Sequence, residues 1–227
     1  SMRARKVRET MGILLISAGL ATLIAVAYQL FFTNITSHQI AKKNTQSILK
    51  AWAQPSSAAT AADFSKGFAL IYIPRIGADS WEIPIAQGVQ DYELNGGYGH
   101  YQQTAMPGYA GNFALAAHRA THGQPLANVQ LLEKGDRVYI RTQFKWFTYQ
   151  LDQDQIVMPE DMWVIDSDPK KLSAKVGTNR LITLTTCNPR YGSTERWIWW
   201  GHLVAESDQS DIPTELQHYG NVSPVEP

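Results

Sequence analysis

Cysteine is almost absent from this sequence, since Cys187 is the only one among its 227 residues. A single thiol cannot form a disulfide within the chain, and it cannot supply a metal site that needs several cysteines. An excess of charge of one sign is also missing, because 20 Lys and Arg residues balance 20 Asp and Glu residues. Nothing in the sequence therefore indicates nucleic-acid binding. We predict neither a cofactor nor a set of metal ligands.

Residues 11–32 carry no charged side chain over 22 residues, which is long enough for a helix to cross a bilayer. The ten residues before them hold four basic side chains and one acidic one, so the positive-inside rule keeps the N-terminus in the cytoplasm. A cleaved signal peptide has a similar pattern, but its apolar core is usually shorter and ends in a small-x-small cleavage site. We favour an uncleaved single-pass anchor in the cell membrane, with the rest of the chain extracellular.

Composition divides the chain into five predicted segments. They are a basic cytoplasmic segment (1–10), the transmembrane anchor (11–32), an extracytoplasmic stalk or linker (33–66), one folded domain (67–206) and a mobile C-terminal tail (207–227). The stalk ends in small polar residues typical of linkers. The tail is assigned because it contains several acidic residues and few apolar ones.

The folded domain contains many short runs of strand-forming residues separated by turn formers. These runs are 69–73, 82–87, 112–118, 137–142, 146–151, 155–158, 163–166, 181–187 and 197–205. Only 125–133 and 169–174 resemble helices, each with proline in its first turn. The pattern predicts a mainly β fold that is a closed barrel or a sandwich.

Cys187 ends one of these predicted strands, and a turn-forming segment separates it from Arg196, which opens the next strand. An antiparallel pairing of the two strands would place Cys187 beside Arg196, and a nearby cation favours the thiolate form of a cysteine. His118 also lies where a strand meets a loop, and thiol acyl transfer needs an imidazole for its proton transfers. Without a structure, Cys187 could equally be a buried structural thiol.

The segment Thr183-Leu-Thr-Thr-Cys187 resembles the TLxTC signature of sortases, the membrane-anchored cysteine transpeptidases of Gram-positive bacteria. Arg196 stands where the sortase arginine is expected. Upstream, the blocks 99–101, 104–108, 111–112 and 117–123 resemble those around the catalytic histidine of class E sortases, which are common in actinobacteria. The similarity spans roughly 71–205, in the order His118, Cys187, Arg196.

This resemblance implies a sortase β-barrel of about eight strands at 67–206, with short helices and His118, Cys187 and Arg196 as catalytic residues. Cys187 would attack the Thr-Gly bond of an LAxTG- or LPxTG-like sorting signal and form a thioester. The secreted protein would then pass to a cell-wall or pilin amine. Substrate-binding residues would be Tyr101, Thr185 and Thr186, the last through its peptide N–H. Asn188 departs from the class E pattern, in which histidine often follows the cysteine.

Two other functions remain open at the level of sequence. A hydrolytic cysteine endopeptidase would use the same residues and give the thioester to water. A membrane-tethered, non-catalytic β-barrel would bind peptides or wall polymer and keep Cys187 as a structural residue. The preferred sorting signal, the amine acceptor and any metal dependence cannot be predicted from the residues.

Overall fold

The computed structural model describes residues 2–54, 66–169 and 179–225. One long helix comes first, formed by α1 (Met2–Ala27), a π-helical turn (Tyr28–Phe32) and α2 (Thr33–Trp52). The strands are β1 (Ala69–Tyr72), β2 (Trp81–Gln87), β3 (Tyr98–His100), β4 (Gly111–Ala116), β5 (Arg137–Arg141), β6 (Lys145–Val157), β7 (Arg180–Asn188) and β8 (Glu195–Asp208). Helix α3 (Asp91–Leu94) precedes β3, and 3₁₀ turns lie at Pro74–Ser80, Val129–Leu131, Met162–Ile165 and Thr214–His218.

The eight strands close into a barrel in the order β1-β2-β3-β4-β7-β8-β6-β5. The pairs β2–β3 and β4–β7 are parallel, and the other neighbours are antiparallel. Closure removes the open sheet edges that would otherwise invite pairing with other chains. The predicted closed β-barrel with short helices and one N-terminal apolar helix is confirmed.

Several element predictions differ from the structure. The runs 146–151 and 155–158 belong to one strand, β6, which continues through an irregularity between Leu151 and Gln153. The run 163–166 is a 3₁₀ turn rather than a strand, and β3 was not predicted because it has only three residues. The first predicted helix contains only the 3₁₀ turn Val129–Leu131. In the second, residues 170–174 lie outside the described residues.

Helix α2 packs along the barrel instead of standing off as a stalk. Its buried residues, spaced three or four apart so that they share one helix face, are Ser37, Ala41, Thr45 and Ile48. The Thr45 hydroxyl donates a hydrogen bond of 3.1 Å to the carbonyl of Glu82. The described helical part of the predicted stalk therefore belongs to the folded unit.

The C-terminal segment also packs on the barrel, although we predicted a mobile tail. Leu216 is fully buried in an apolar cluster with Tyr72 and Trp146. The backbone N–H and hydroxyl of Ser223 donate hydrogen bonds of 2.9 and 2.6 Å to the carboxylate of Glu82. One buried apolar side chain and two hydrogen bonds thus hold a segment that its composition alone would place in solvent.

Candidate active site

Side chains of three neighbouring strands, β4, β7 and β8, alternate between the barrel interior and its outer face. Those in the main core are Phe113, Leu115, Ile182, Leu184 and Trp199, whereas Ala114, Ile198 and Trp200 belong to a separate outer cluster. Because side chains along a strand alternate, Cys187 and Arg196 fall on the outer face. Continuing the alternation past the end of β4 places His118 on that face as well.

Strand register brings these three residues to one end of the barrel. Cys187 of β7 lies directly opposite Arg196 of β8, as the sequence predicted. The parallel ladder joins Ala116 of β4 to Thr185 of β7, and Ala117 extends it by donating 3.1 Å to the Thr185 carbonyl. Continued by two residues along each strand, this register leads to His118 and Cys187, so the two residues lie at the same end of neighbouring strands.

The imidazole of His118 is largely buried and lies next to the ring of His122, with 4.8 Å between the ring centroids and a tilt of 33° between the ring planes. Burial is the main cause that lowers the pKa of His118 to about 4, and the neighbouring His122 acts in the same direction. The ring is therefore neutral at neutral pH. Its Nε2 is buried and has no hydrogen-bond partner within the described part of the chain, so this nitrogen is available to a reacting proton.

The guanidinium of Arg196 is held by its own loop. Its Nη1 donates to the carbonyl oxygens of Ser193 and Glu195 at 2.8 and 2.9 Å. Arginine presents five N–H donors in a planar fork, so these two bonds leave donors for an oxygen of a bound peptide. The loop therefore orients Arg196 without using all of its donors.

Two of the three predicted substrate-binding residues are in contact. The hydroxyls of Tyr101 and Thr185 share a hydrogen bond of 3.2 Å, and Thr185 lies on the same strand face as Cys187. The Thr186 side chain has the opposite orientation, and its buried hydroxyl donates 2.7 Å to the carbonyl of Ala117. The Thr186 hydroxyl thus supports the strand pairing behind the site.

Arg119 is a further residue of the site that the sequence analysis did not single out. Its Nη1 donates 2.7 Å to the side-chain oxygen of Asn188 and lies 3.4 Å from the Cys187 carbonyl. Its guanidinium also lies 5.0 Å from the centroid of the Trp197 ring. Arg119 thereby fixes the backbone that follows Cys187. Its position next to His118 in the sequence is the only signal that could have indicated this.

A cleft of about 530 Å³ lies elsewhere, lined by residues that include Thr104, Asn112 and Asp166. It is at the Gly111 end of β4, and seven residues of extended chain separate that end from His118 by about 23 Å. His118 therefore does not line this cleft. Within the described residues, no group of three or more His, Cys, Asp and Glu side chains is placed to hold a metal ion.

A family model of the sortase domain matches residues 71–204 of this chain. Sortase SrtE1 of Streptomyces coelicolor is 36% identical over 210 residues, an alignment that covers 89% of this chain and 58% of SrtE1. Sortase SrtE2 of the same organism is 32% identical over 212 residues, and this alignment covers 86% of this chain and 81% of SrtE2. The chain thus spans less than two thirds of SrtE1.

Solved structures give the same result. The crystal structure of sortase E1 from S. coelicolor with a tripeptide in its active site has 39% sequence identity to this chain and superposes with a TM-score of 0.60. The superposition covers 66% of this chain and 96% of that structure. With a barrel of this topology and a domain match that spans most of it, the chain belongs to the sortase family, and the relatives named here are class E sortases.

Proposed function

We propose that this protein is a membrane-anchored transpeptidase that cleaves a sorting signal and passes the released acyl group to an amine. The observation that carries the proposal is the convergence of His118, Cys187 and Arg196 on one outer face of three adjacent strands. A nucleophile, a proton carrier and a permanent cation within one site are the groups that acyl transfer requires. The sortase family consists of enzymes with this chemistry.

In the first half-reaction, the Cys187 sulfur attacks the carbonyl carbon of the Thr-Gly bond. A C–S bond forms, the carbonyl electrons move onto oxygen, and the tetrahedral intermediate then breaks its C–N bond. The departing amine takes a proton from His118. Because burial favours the neutral imidazole, His118 carries this proton only after accepting it from the Cys187 thiol, and the two groups act as a coupled pair.

In the second half-reaction, an incoming amine attacks the thioester and gives its proton to His118. The C–S bond then breaks with its electrons moving to sulfur, His118 returns the proton to the Cys187 sulfur, and the new amide leaves the site. Arg196 lies across the strand pair from the sulfur, where its unused donors can bind the oxyanion of either intermediate. The peptide N–H of Thr186 remains a candidate second donor.

The outer face beside Cys187 also supplies a surface for the peptide that precedes the scissile bond. Tyr101 and Thr185 hold each other through their hydroxyls, and each hydroxyl retains further hydrogen-bonding capacity. We assign them to substrate binding for an LAxTG- or LPxTG-like signal. The S. coelicolor sortase E1 structure, which has a tripeptide in its active site, supports a peptide as the substrate class.

The helix Met2–Trp52 is long and apolar enough to cross a membrane. We propose that residues 11–32 anchor the protein with its N-terminus in the cytoplasm and its barrel outside the cell. The partners would then be secreted proteins with a C-terminal sorting signal and an acceptor amine on a wall precursor or a pilin. This assignment rests on the distribution of basic residues before the span.

A direct test is to incubate the full chain in detergent with LAxTG and LPxTG peptides and hydroxylamine, and to measure peptide hydroxamate. We expect hydroxamate with at least one peptide, and a loss of at least about 10³-fold in Cys187→Ala, because the covalent route is removed. The exposed loop variant Thr194→Ala is the matched control and should keep its activity.

Product that persists in Cys187→Ala would contradict the proposal. Cleavage to the free acid alone, even with a high concentration of glycine or diaminopimelate amine, would favour the hydrolytic endopeptidase. Absence of any cleavage, together with slow alkylation of Cys187 that does not depend on His118, would favour the non-catalytic barrel.

A further inference from the structure

The end of the apolar stretch lies next to the catalytic end of the barrel. Phe32 is the last residue of that stretch, and two residues later the side-chain oxygen of Asn34 accepts a hydrogen bond of 2.9 Å from the backbone N–H of Gly123. Two helical residues rise by only about 3 Å. Gly123 belongs to the loop that follows His118, so this loop is held close to the plane where the apolar stretch ends.

The contact between helix and loop is a tight one. Gly123 has φ +81°, and a Cβ atom there would lie 3.3 Å from the Cβ of Ser37, which is buried on α2. Glycine is therefore favoured both by the backbone conformation and by the close approach of the helix. The catalytic loop and the first turns of α2 form one packed contact.

The other end of α2 lies at the opposite end of the barrel. There, the Arg141 guanidinium at the end of β5 lies 5.8 Å from the centroid of the Trp52 ring. Helix α2 thus runs along the barrel wall from the catalytic end to the far end and is continuous with the apolar helix. This arrangement fixes which end of the barrel is nearer to the bilayer.

The loop between β7 and β8 extends the same surface. Arg190 Nη2 donates 3.3 Å to the side-chain oxygen of Gln124, and the Arg190 guanidinium lies 5.6 Å from the centroid of the Tyr191 ring. Tyr191 is 74% exposed. Exposed aromatic side chains also end the apolar helix, at Tyr28, Phe31 and Phe32. Tyrosine and arginine together are typical of side chains at a membrane interface.

We propose that the catalytic end of the barrel faces the bilayer and that the β7–β8 loop, through Tyr191, contacts the lipid headgroup region. The inference rests on the membrane anchor described under the proposed function. In this arrangement, α2 is a rigid connection that holds the reacting residues at the membrane surface. A sorting signal would then reach Cys187 while its carrier is still close to the lipid.

Fluorescence quenching by lipids tests this geometry in the full chain, reconstituted in nanodiscs of equal amounts of phosphatidylcholine and phosphatidylglycerol. In a Cys187→Ser background, Tyr191→Cys carries an environment-sensitive dye. The matched control is Phe144→Cys, a 67% exposed aromatic position at the Lys145 end of β6, about 40 Å along the sheet. Leu20→Cys reports insertion of the anchor.

We expect headgroup spin-labelled lipids to quench the dye at 191 at least about threefold more strongly than at 144, since an interfacial side chain lies within about 10 Å of the headgroups. A flexible Gly-Ser insertion after Phe32 should reduce the difference, because it lengthens the tether without disturbing the contact of α2 with the barrel. If the dyes at 191 and 144 are quenched equally while the dye at 20 is buried in lipid, the inference is overturned and the membrane anchor still stands. An unprotected label at 20 would overturn both, and neither result depends on catalysis.

Discussion

Two histidines, His100 and His118, occupy very different surroundings although each lies at or just after the end of a short strand. His100 is 0% exposed, its Nδ1 lies 2.7 Å from the side-chain oxygen of Gln87, and its Nε2 lies 3.0 Å from both the Ala105 carbonyl and the Thr104 hydroxyl. His118 has a buried Nε2 with no partner in the part of the chain that the structure describes. Burial lowers the pKa of both rings, so burial alone does not separate them.

The difference teaches that hydrogen-bond satisfaction, more than burial, distinguishes a structural histidine from the histidine that we propose as the proton carrier. A ring whose two nitrogens are both paired has no nitrogen left for a substrate proton, and it holds neighbouring loops together. An unpaired buried nitrogen costs stability. Such a cost is typical of a site that is arranged for chemistry.

The largest expected effect is on activity. His118→Ala should lower kcat/KM for amine transfer by about 10³-fold, because the proton carrier is lost, while unfolding by denaturant changes little. The measurement is transfer of a peptide to an amine, normalised to folded protein. Activity within about tenfold of the parent protein would remove His118 from the catalytic set.

A substitution at His100 should instead lower stability and leave activity nearly unchanged. His100→Leu leaves Gln87 and Thr104 without a buried partner and should reduce the free energy of unfolding by about 3 kcal/mol. Activity per folded molecule should stay within about threefold of the parent protein, because His100 does not face the reacting residues. Denaturant titration together with the transfer assay checks both parts. A stable variant that loses activity would reverse the assignment of the two histidines.

The effect that is smallest at neutral pH concerns how the free energy of unfolding depends on pH. The folded pKa of His118 is lowered to about 4 from an unfolded value near 6.5. Between these values the unfolded chain binds more protons, so stability is lost as the pH falls from about 6.5 to about 4, with a cost of up to about 3 kcal/mol.

His118→Gln should remove this part of the pH dependence, because glutamine does not titrate. Free energies of unfolding at neutral pH and near pH 4, compared between parent and variant, isolate His118, since His100 is present in both. Identical pH profiles would show that the His118 pKa is not depressed in the folded protein.

Local sequence patterns were sufficient for some parts of the fold and site. Strand-forming residues on both sides of a turn-rich segment predicted that Cys187 and Arg196 pair, and the register confirms this. Hairpin partners are close in the chain, so local propensity and turn chemistry decide their pairing. The 3₁₀ turn at Met162–Ile165 was predicted as a strand because short apolar runs fit both structures.

Non-local packing could not be predicted in this way. The parallel pairing of β4 with β7 brings the chain at His118 next to the chain at Cys187, 69 residues later in the sequence, and no local pattern encodes such a partner. No local pattern predicts the hydrogen bond from Arg119 to Asn188 either, or the one from Ser223 to Glu82, whose partners are far apart in the sequence. These contacts depend on how the barrel closes.

The sequence by itself determined the apolar span, the mainly β character of the domain and the chemical types available for catalysis, because composition and periodicity are local properties. Tertiary structure alone decided which histidine keeps an unpaired nitrogen, which face of β7 carries the thiol, and which end of the barrel lies beside the apolar helix. Each of those outcomes depends on atoms brought together from distant parts of the chain, and such contacts form only when the barrel closes.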